Sequence, residues 1–159
     1  MAAANAFLAT TSPEQSETEL AKNIYHELCI RVTYDYSALT EFQRKNAYYA
    51  YMEHSGVCVT FANVYNQLLT QVGILATTAQ CDYTETMGHL WSLITIDGKQ
   101  YFCDPTFELN YDGGAGYRYF GQTYAQRTVN GFGASGITAG RYYPYYVDES
   151  QLSPVPLSA

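Results

Sequence analysis

Apolar and polar positions along the chain follow two successive periods. Between Pro13 and Val32, the residues Leu20, Ile24, Leu28 and Val32 recur every four positions, the spacing of a helix with one buried face. Ser12 as cap, Pro13 at the first helical position, and Glu14, Glu17 and Glu19 near the positive end of the dipole predict its start. Tyr34-Asp35-Tyr36-Ser37 interrupts the pattern. A second, shorter helix is expected from Thr40, where Thr40-x-x-Gln43 spells a capping box, to Glu53, before Ser55-Gly56 forces a turn. A third runs from Cys58 to Val72, with Phe61, Val64, Tyr65, Leu68 and Val72 on one side and Gly73 as its stop.

After Gly73 the period shortens to that of strands. Ile74–Tyr83, Gly88–Asp97 and Lys99–Asp104 are expected strands, and Asp97-Gly98 is a two-residue hairpin signal. Residues 113–140, rich in Gly, Tyr, Thr and Asn, give a weaker pattern, and Arg141–Val147 is a candidate last strand. No internal repeat is visible. Helices first and an antiparallel sheet afterwards make an α+β architecture. The domain is expected to span 13–148, with 1–12 as an N-terminal tail and the Ser/Pro-rich 149–159 as a tail or linker.

Composition narrows the class. With 159 residues, 47% of them apolar, the chain suits one domain with a real core. Its formal net charge of −7 leaves no basic stripe to neutralise phosphates, so nucleic acid is excluded as a partner. No stretch approaches the roughly 18–20 apolar residues of a membrane span. The opening MAAANAFLATT lacks the basic region of a signal peptide. The four cysteines, Cys29, Cys58, Cys81 and Cys103, form no CxxC and no tight Cys/His spacing, so a structural zinc site is not expected. Cys81 and Cys103 fall on expected strands, as core residues or as a disulfide if those strands are neighbours.

One cysteine stands apart. Cys58 follows Gly56-Val57 and opens the third helix, where unpaired N–H groups and the dipole favour a thiolate. Its own backbone N–H is placed to meet an oxyanion, and Gly56 permits a sharp turn and close approach of a carbonyl. Taken alone, Cys58 is better explained as a small buried hydrophobe. The hairpin supplies the other half of the argument. A two-residue loop at Asp97-Gly98 pairs Ile96 with Lys99 and, further along the ladder, Trp91 with Asp104. His89, Trp91 and Asp104 then share one face, with His89 and Asp104 as diagonal neighbours within side-chain reach. A base held by a carboxylate beside a cysteine is the arrangement nucleophilic thiol catalysis requires.

The stretch from Ala47 to Phe107 resembles the transglutaminase-like core of many bacterial proteins. The matching motifs are Gly56-Val57-Cys58, Phe61-Ala62, Gly73-Ile74, His89-Leu90-Trp91 and Asp104-Pro105-Thr106-Phe107. The resemblance implies a papain-like α+β core in which a nucleophile-bearing helix packs on an antiparallel sheet. Residue by residue, it implies Cys58 as nucleophile, His89 as base and Asp104 as its partner. Three positions depart from the family pattern: Ser92 where Asn is common, Thr60 where Gly is common, and Met52 where relatives place a second oxyanion donor. Tyr48, Tyr51 and His54 are the candidates for that missing donor or for a substrate groove with Trp91. His26 reads as a surface or packing residue, and the tyrosines of Tyr142-Tyr143-Pro144-Tyr145-Tyr146 as sheet packing or a groove for an extended polymer.

The resemblance implies no metal and no organic cofactor. It implies a protein or peptide substrate, cell-wall peptides included, attacked through a Cys58 thioester. Water as second acceptor makes a peptidase or amidase; an amine makes a cross-linking protein-glutamine gamma-glutamyltransferase. A small core without a shielding domain favours water. A catalytically silent protein- or peptidoglycan-binding module is the remaining alternative, favoured by the missing donor and disfavoured by the intact triad. An extracellular or cell-surface location is expected, otherwise the cytoplasm.

Overall fold

Ser16 and Glu19 decide where the first long helix begins. Glu19 N–H donates to Ser16 Oγ at 3.2 Å and Ser16 N–H donates to the Glu19 carboxylate at 2.8 Å, a reciprocal capping box. The helix therefore spans Glu17–Arg31 and not Pro13–Val32, because Ser12 is already engaged with Gln15 in a turn of its own. In the computed structural model, the described residues are 2–35, 37, 40, 46–81, 89–127, 142–143 and 148–157. Among them the elements run α1 (Ala2–Phe7), α2 (Glu17–Arg31), β1 (Thr33–Tyr34), α3 (Ala47–Glu53), β2 (Ser55–Gly56), α4 (Cys58–Gln71), β3 (Ala76–Cys81), β4 (His89–Ile96), β5 (Lys99–Cys103), α5 (Pro105–Asp112), α6 (Tyr124–Arg127) and β6 (Tyr142–Tyr143). A short 3₁₀ turn follows at Glu149–Gln151.

The second expected helix is found as Ala47–Glu53, capped by Asn46; the Thr40-x-x-Gln43 start lies outside the described residues. The expected strand ends at Tyr83 and Gly88, and most of Arg141–Val147, lie outside them as well. α4 has the expected start at Cys58 and ends at Gln71, with Gly73 in the left-handed region at φ 84°. Asp104-Pro105 is more than a turn. Asp104 caps α5 by accepting Phe107 N–H, Pro105 takes the first position, and Gly113 closes the helix at φ 68°.

The main sheet has the order β5-β4-β3-β6, with each described pair antiparallel. Side chains of β4 alternate between two apolar clusters. Ile94 and Ile96 face the larger one, where α1, α2 and α4 contribute Phe7, Ile24, Leu28, Phe61, Val64, Leu68 and others. Trp91 and Leu93 face the smaller one with Ala79 and Phe102, lined further by Tyr124 and Leu152. The stretch expected as a tail at the start is a helix whose Phe7 is fully buried. At the other end, Leu152 bridges to Gln100, and Ser153 N–H donates to the Gln100 carbonyl at 2.9 Å.

Candidate active site

The hairpin sets the geometry first. Asp97 and Gly98 both have positive φ, 49° and 75°, as a two-residue turn of the primed type requires. Ile96 pairs with Lys99 and Ser92 with Cys103, which is the register expected from the sequence. β5 ends one residue before Asp104, and the Asp104 side chain keeps the face it would have held in the strand. His89 Nε2 meets Asp104 Oδ2 at 2.6 Å, both side chains buried.

Aromatic walls fix the imidazole. His89 stacks on Phe107 at 4.4 Å between centroids and 9° between planes, and lies 5.6 Å from Trp91. Trp91 is fully buried, so it is a wall of the site and not an open groove surface. With Nε2 committed to Asp104, the other ring nitrogen, Nδ1, remains for Cys58. Cys58 stands in the first turn of α4, a helix that covers the opposite face of the sheet. The two meet because His89 is the first residue of β4.

Electrostatics follow from this arrangement. Burial pushes the Cys58 thiol up, but a hydrogen bond and the charge of His89, with the Leu90 backbone N–H, bring it below the usual thiol value. For His89, burial opposes the charged form, and Asp104 more than compensates, so its pKa is raised. Asp104 is fully buried, yet His89 and Arg127 hold its carboxyl down at about 2. A lowered thiol beside a raised imidazole favours the thiolate–imidazolium pair. The other two described thiols, Cys29 and Cys103, are free and buried, and burial raises both, Cys103 to about 12. β4 lies between β3 and β5, so the strands bearing Cys81 and Cys103 are not neighbours. Cys103 points into the larger cluster and accepts a hydrogen bond from Gly121 N–H.

The donor candidates have these contacts. Tyr51 packs edge-on to Phe7 and donates to Gln67, more than two turns along α4 from Cys58. His54 stacks on Phe7 at 6.4 Å, and Tyr48 is exposed against Tyr49. His26 packs beside Tyr117. Close packing constrains Gly56. Its φ is ordinary, but a Cβ there would lie 2.6 Å from the Thr60 side chain, so Gly56 is fixed by close packing. Thr60, the departure two residues after Cys58, is fully buried and accepts the Val57 N–H at 3.1 Å. It anchors the turn that presents the cysteine.

Sequence reading missed one charged residue at the site. Arg127, 1% exposed, places Nη2 2.6 Å from Asp104 Oδ2. Its signal was Thr123-x-x-Gln126, a capping box in which Thr123 N–H and Gln126 N–H donate to each other's side chains. Among the described residues, no three His, Cys, Asp or Glu side chains gather as a metal site would need. No helix there is long and apolar enough to cross a membrane.

A helix-borne cysteine facing a histidine and aspartate from an antiparallel sheet defines the papain-like class of α+β core. Within that class the chain belongs to the transglutaminase-like superfamily, whose model matches residues 5–105. Two solved structures share the fold. A TGase aligns with TM-score 0.54 and 16% identity, covering 66% of this chain and 30% of its own. A candidate cysteine protease from Cytophaga hutchinsonii aligns with TM-score 0.51 and 20% identity, covering 66% of this chain and 35% of its own. The chain thus aligns with about a third of the length of each. No curated protein matches it by sequence.

Proposed function

We propose that this protein is a cysteine hydrolase that cleaves amide bonds in a peptide or protein through a Cys58 thioester. The observation that carries the proposal is the 2.6 Å His89–Asp104 bond beside a thiol of lowered pKa. The Cys58 thiolate adds to the scissile carbonyl carbon. The resulting oxyanion lies at the start of α4, where the Cys58 backbone N–H has no acceptor within the helix. His89, as imidazolium, hands its Nδ1 proton to the leaving amine, and the C–N bond breaks to leave the thioester. Neutral His89 then takes a proton from water, which attacks the thioester and releases the acid and the free thiolate. Asp104 holds the Nε2–H tautomer throughout.

Cys58 is half-buried, whereas Cys29 and Cys103 are closed off, so the thioester forms where solvent reaches. That access supports water over an amine as second acceptor. The test offers glutamine-containing peptides together with a tagged primary amine, and follows cleavage, deamidation and tag uptake. Hydrolysis with little tag uptake is expected, abolished by Cys58→Ala and reduced about 10⁴-fold by Asp104→Asn. Efficient tag uptake points instead to a cross-linking enzyme. Absence of any product, with Cys58 inert to electrophiles, points to a binding module.

A further inference from the structure

Arg127 lies outside the segment that the superfamily model matches, which ends at residue 105. Its position is nevertheless set by the sheet. Gln122 pairs with Phe102 through two backbone bonds of 2.8 and 2.9 Å, and Asp104 N–H donates to the Tyr119 carbonyl. The chain after α5 therefore runs back beside β5, and α6 begins at once, capped by Thr123. Four residues on, the guanidinium lies over the Trp91 ring at 4.4 Å and the Phe107 ring at 4.7 Å. Those are the two rings that hold His89. One carboxylate oxygen, Asp104 Oδ2, thus receives both the imidazole and the guanidinium at 2.6 Å.

We infer that Arg127 is a positioning residue for the Cys58–His89–Asp104 relay, locking Asp104 against His89 and keeping that carboxylate ionised through the catalytic cycle. This rests on the proposed thioester chemistry. The physical need arises in the middle of the reaction. When His89 gives its proton to the leaving amine, Asp104 is left in a fully buried site facing a neutral ring. Burial alone drives such a carboxyl to take up a proton, and the relay is then lost for the second half-reaction. A permanently charged guanidinium at the same oxygen prevents this. It also makes the imidazolium a stronger acid, because His89 faces an ion pair and not a bare carboxylate. The direction agrees: Arg127 acts to lower the pKa of His89, against the larger raising influence of Asp104.

Among the described residues, the charged and titratable groups that act most strongly on His89 are Cys58 from α4, Asp104 from the start of α5 and Arg127 from α6. Asp104 in turn has Tyr25, Cys29, Cys103 and Tyr119 around it. None of these is cationic; Arg118 acts on Tyr119 and lies over Tyr111, so Arg127→Met removes the cation that contacts Asp104 Oδ2 itself.

The decisive measurement is the NMR titration of the His89 ring in a Cys58→Ala background, with Arg127 intact, replaced by Met, or replaced by Lys. It needs no substrate, so it separates this inference from the hydrolase reading. The expected result is an upward shift of His89 with Met and a return toward the starting value with Lys. In the Cys58-containing enzyme, Arg127→Met should move the alkaline limb of the rate profile upward and lower kcat by about 10²-fold, with KM little changed. Arg127→Lys should restore the limb more than the rate, because ammonium keeps the charge and loses the planar stack. A His89 titration that stays put or moves down with Met overturns the inference. Should the Met variant fail to fold, Lys alone decides: wild-type kcat with Lys also overturns it, since the fixed fork is then dispensable.

Discussion

Cys58, His89 and Asp104 each sit where burial works against their charged form, and each is pushed toward that form by the next. Burial raises the thiol, His89 brings it down; burial lowers the imidazole, Asp104 brings it up. The sign of this coupling predicts reactivity. A thiol with a lowered pKa keeps its thiolate as pH falls toward neutrality, whereas thiols raised by burial have essentially none. In rate-resolved alkylation with mass mapping, Cys58 should label at least 10²-fold faster than Cys29 or Cys103 at pH 7. Its rate should fall only at pH below the ordinary thiol range, and His89→Ala should push that fall to higher pH. Fastest labelling at Cys29 or Cys103 in the folded protein would contradict the arrangement described.

At the level of elements, Cys58, the proposed nucleophile, is presented by a joint between β2 and α4. Gly56 and Thr60 share a space too small for one more carbon, since a Cβ on Gly56 would lie 2.6 Å from Thr60 Cβ and Cγ2. Gly56→Ala should therefore cost about 1–3 kcal/mol by overpacking and displace the Thr60–Val57 bond. Thr60→Gly in the same chain should recover part of that loss, a favourable coupling readable in a double-mutant cycle by denaturant unfolding. Strict additivity would show that the two side chains do not compete. This joint also shows what sequence alone conveys. The register of β4 and β5 was legible because Asp97-Gly98 permits one turn and one pairing, and from it came the shared face of His89 and Asp104. The start of α4 was legible for a similar reason, a glycine turn before a periodic run. Ser12 against Ser16 was not decided by pattern, since both precede acidic residues and only the local hydrogen bonds separate them. Arg127 was missed because its contact with Asp104 depends on a crossing of the chain beside β5, which no periodicity encodes. Tyr51 and His54 were candidates by nearness in sequence to Cys58, and their packing against Phe7 was not legible because it depends on a helix from the start of the chain.

On the scale of the whole molecule, the beginning of the chain is tied to the segment that leads into Cys58. Phe7 from α1 is fully buried, edge-on to Tyr51 and stacked on His54, with the Arg31 guanidinium 5.7 Å from its ring. His54 is the left-handed cap of α3, at φ 53°, and its carbonyl accepts the Thr33 N–H at 2.8 Å. The next residues are β2, paired with β1, and then Val57-Cys58. One aromatic side chain thus braces α2, α3 and the approach to the site. Phe7→Ala should cost about 3–5 kcal/mol, the usual loss for emptying a buried aromatic position. Against a total stability of order 5–15 kcal/mol for a domain, that is about a fifth or more. The loss should register in global denaturant unfolding as a lower midpoint with an unchanged slope, because the same surface is exposed when the whole domain unfolds. A helix merely lying on the surface would give a different result: Phe7→Ala would leave the midpoint in place and raise only amide exchange in residues 2–7. Denaturation and hydrogen exchange on the same variant discriminate the two, and an unmoved midpoint would remove α1 from the core.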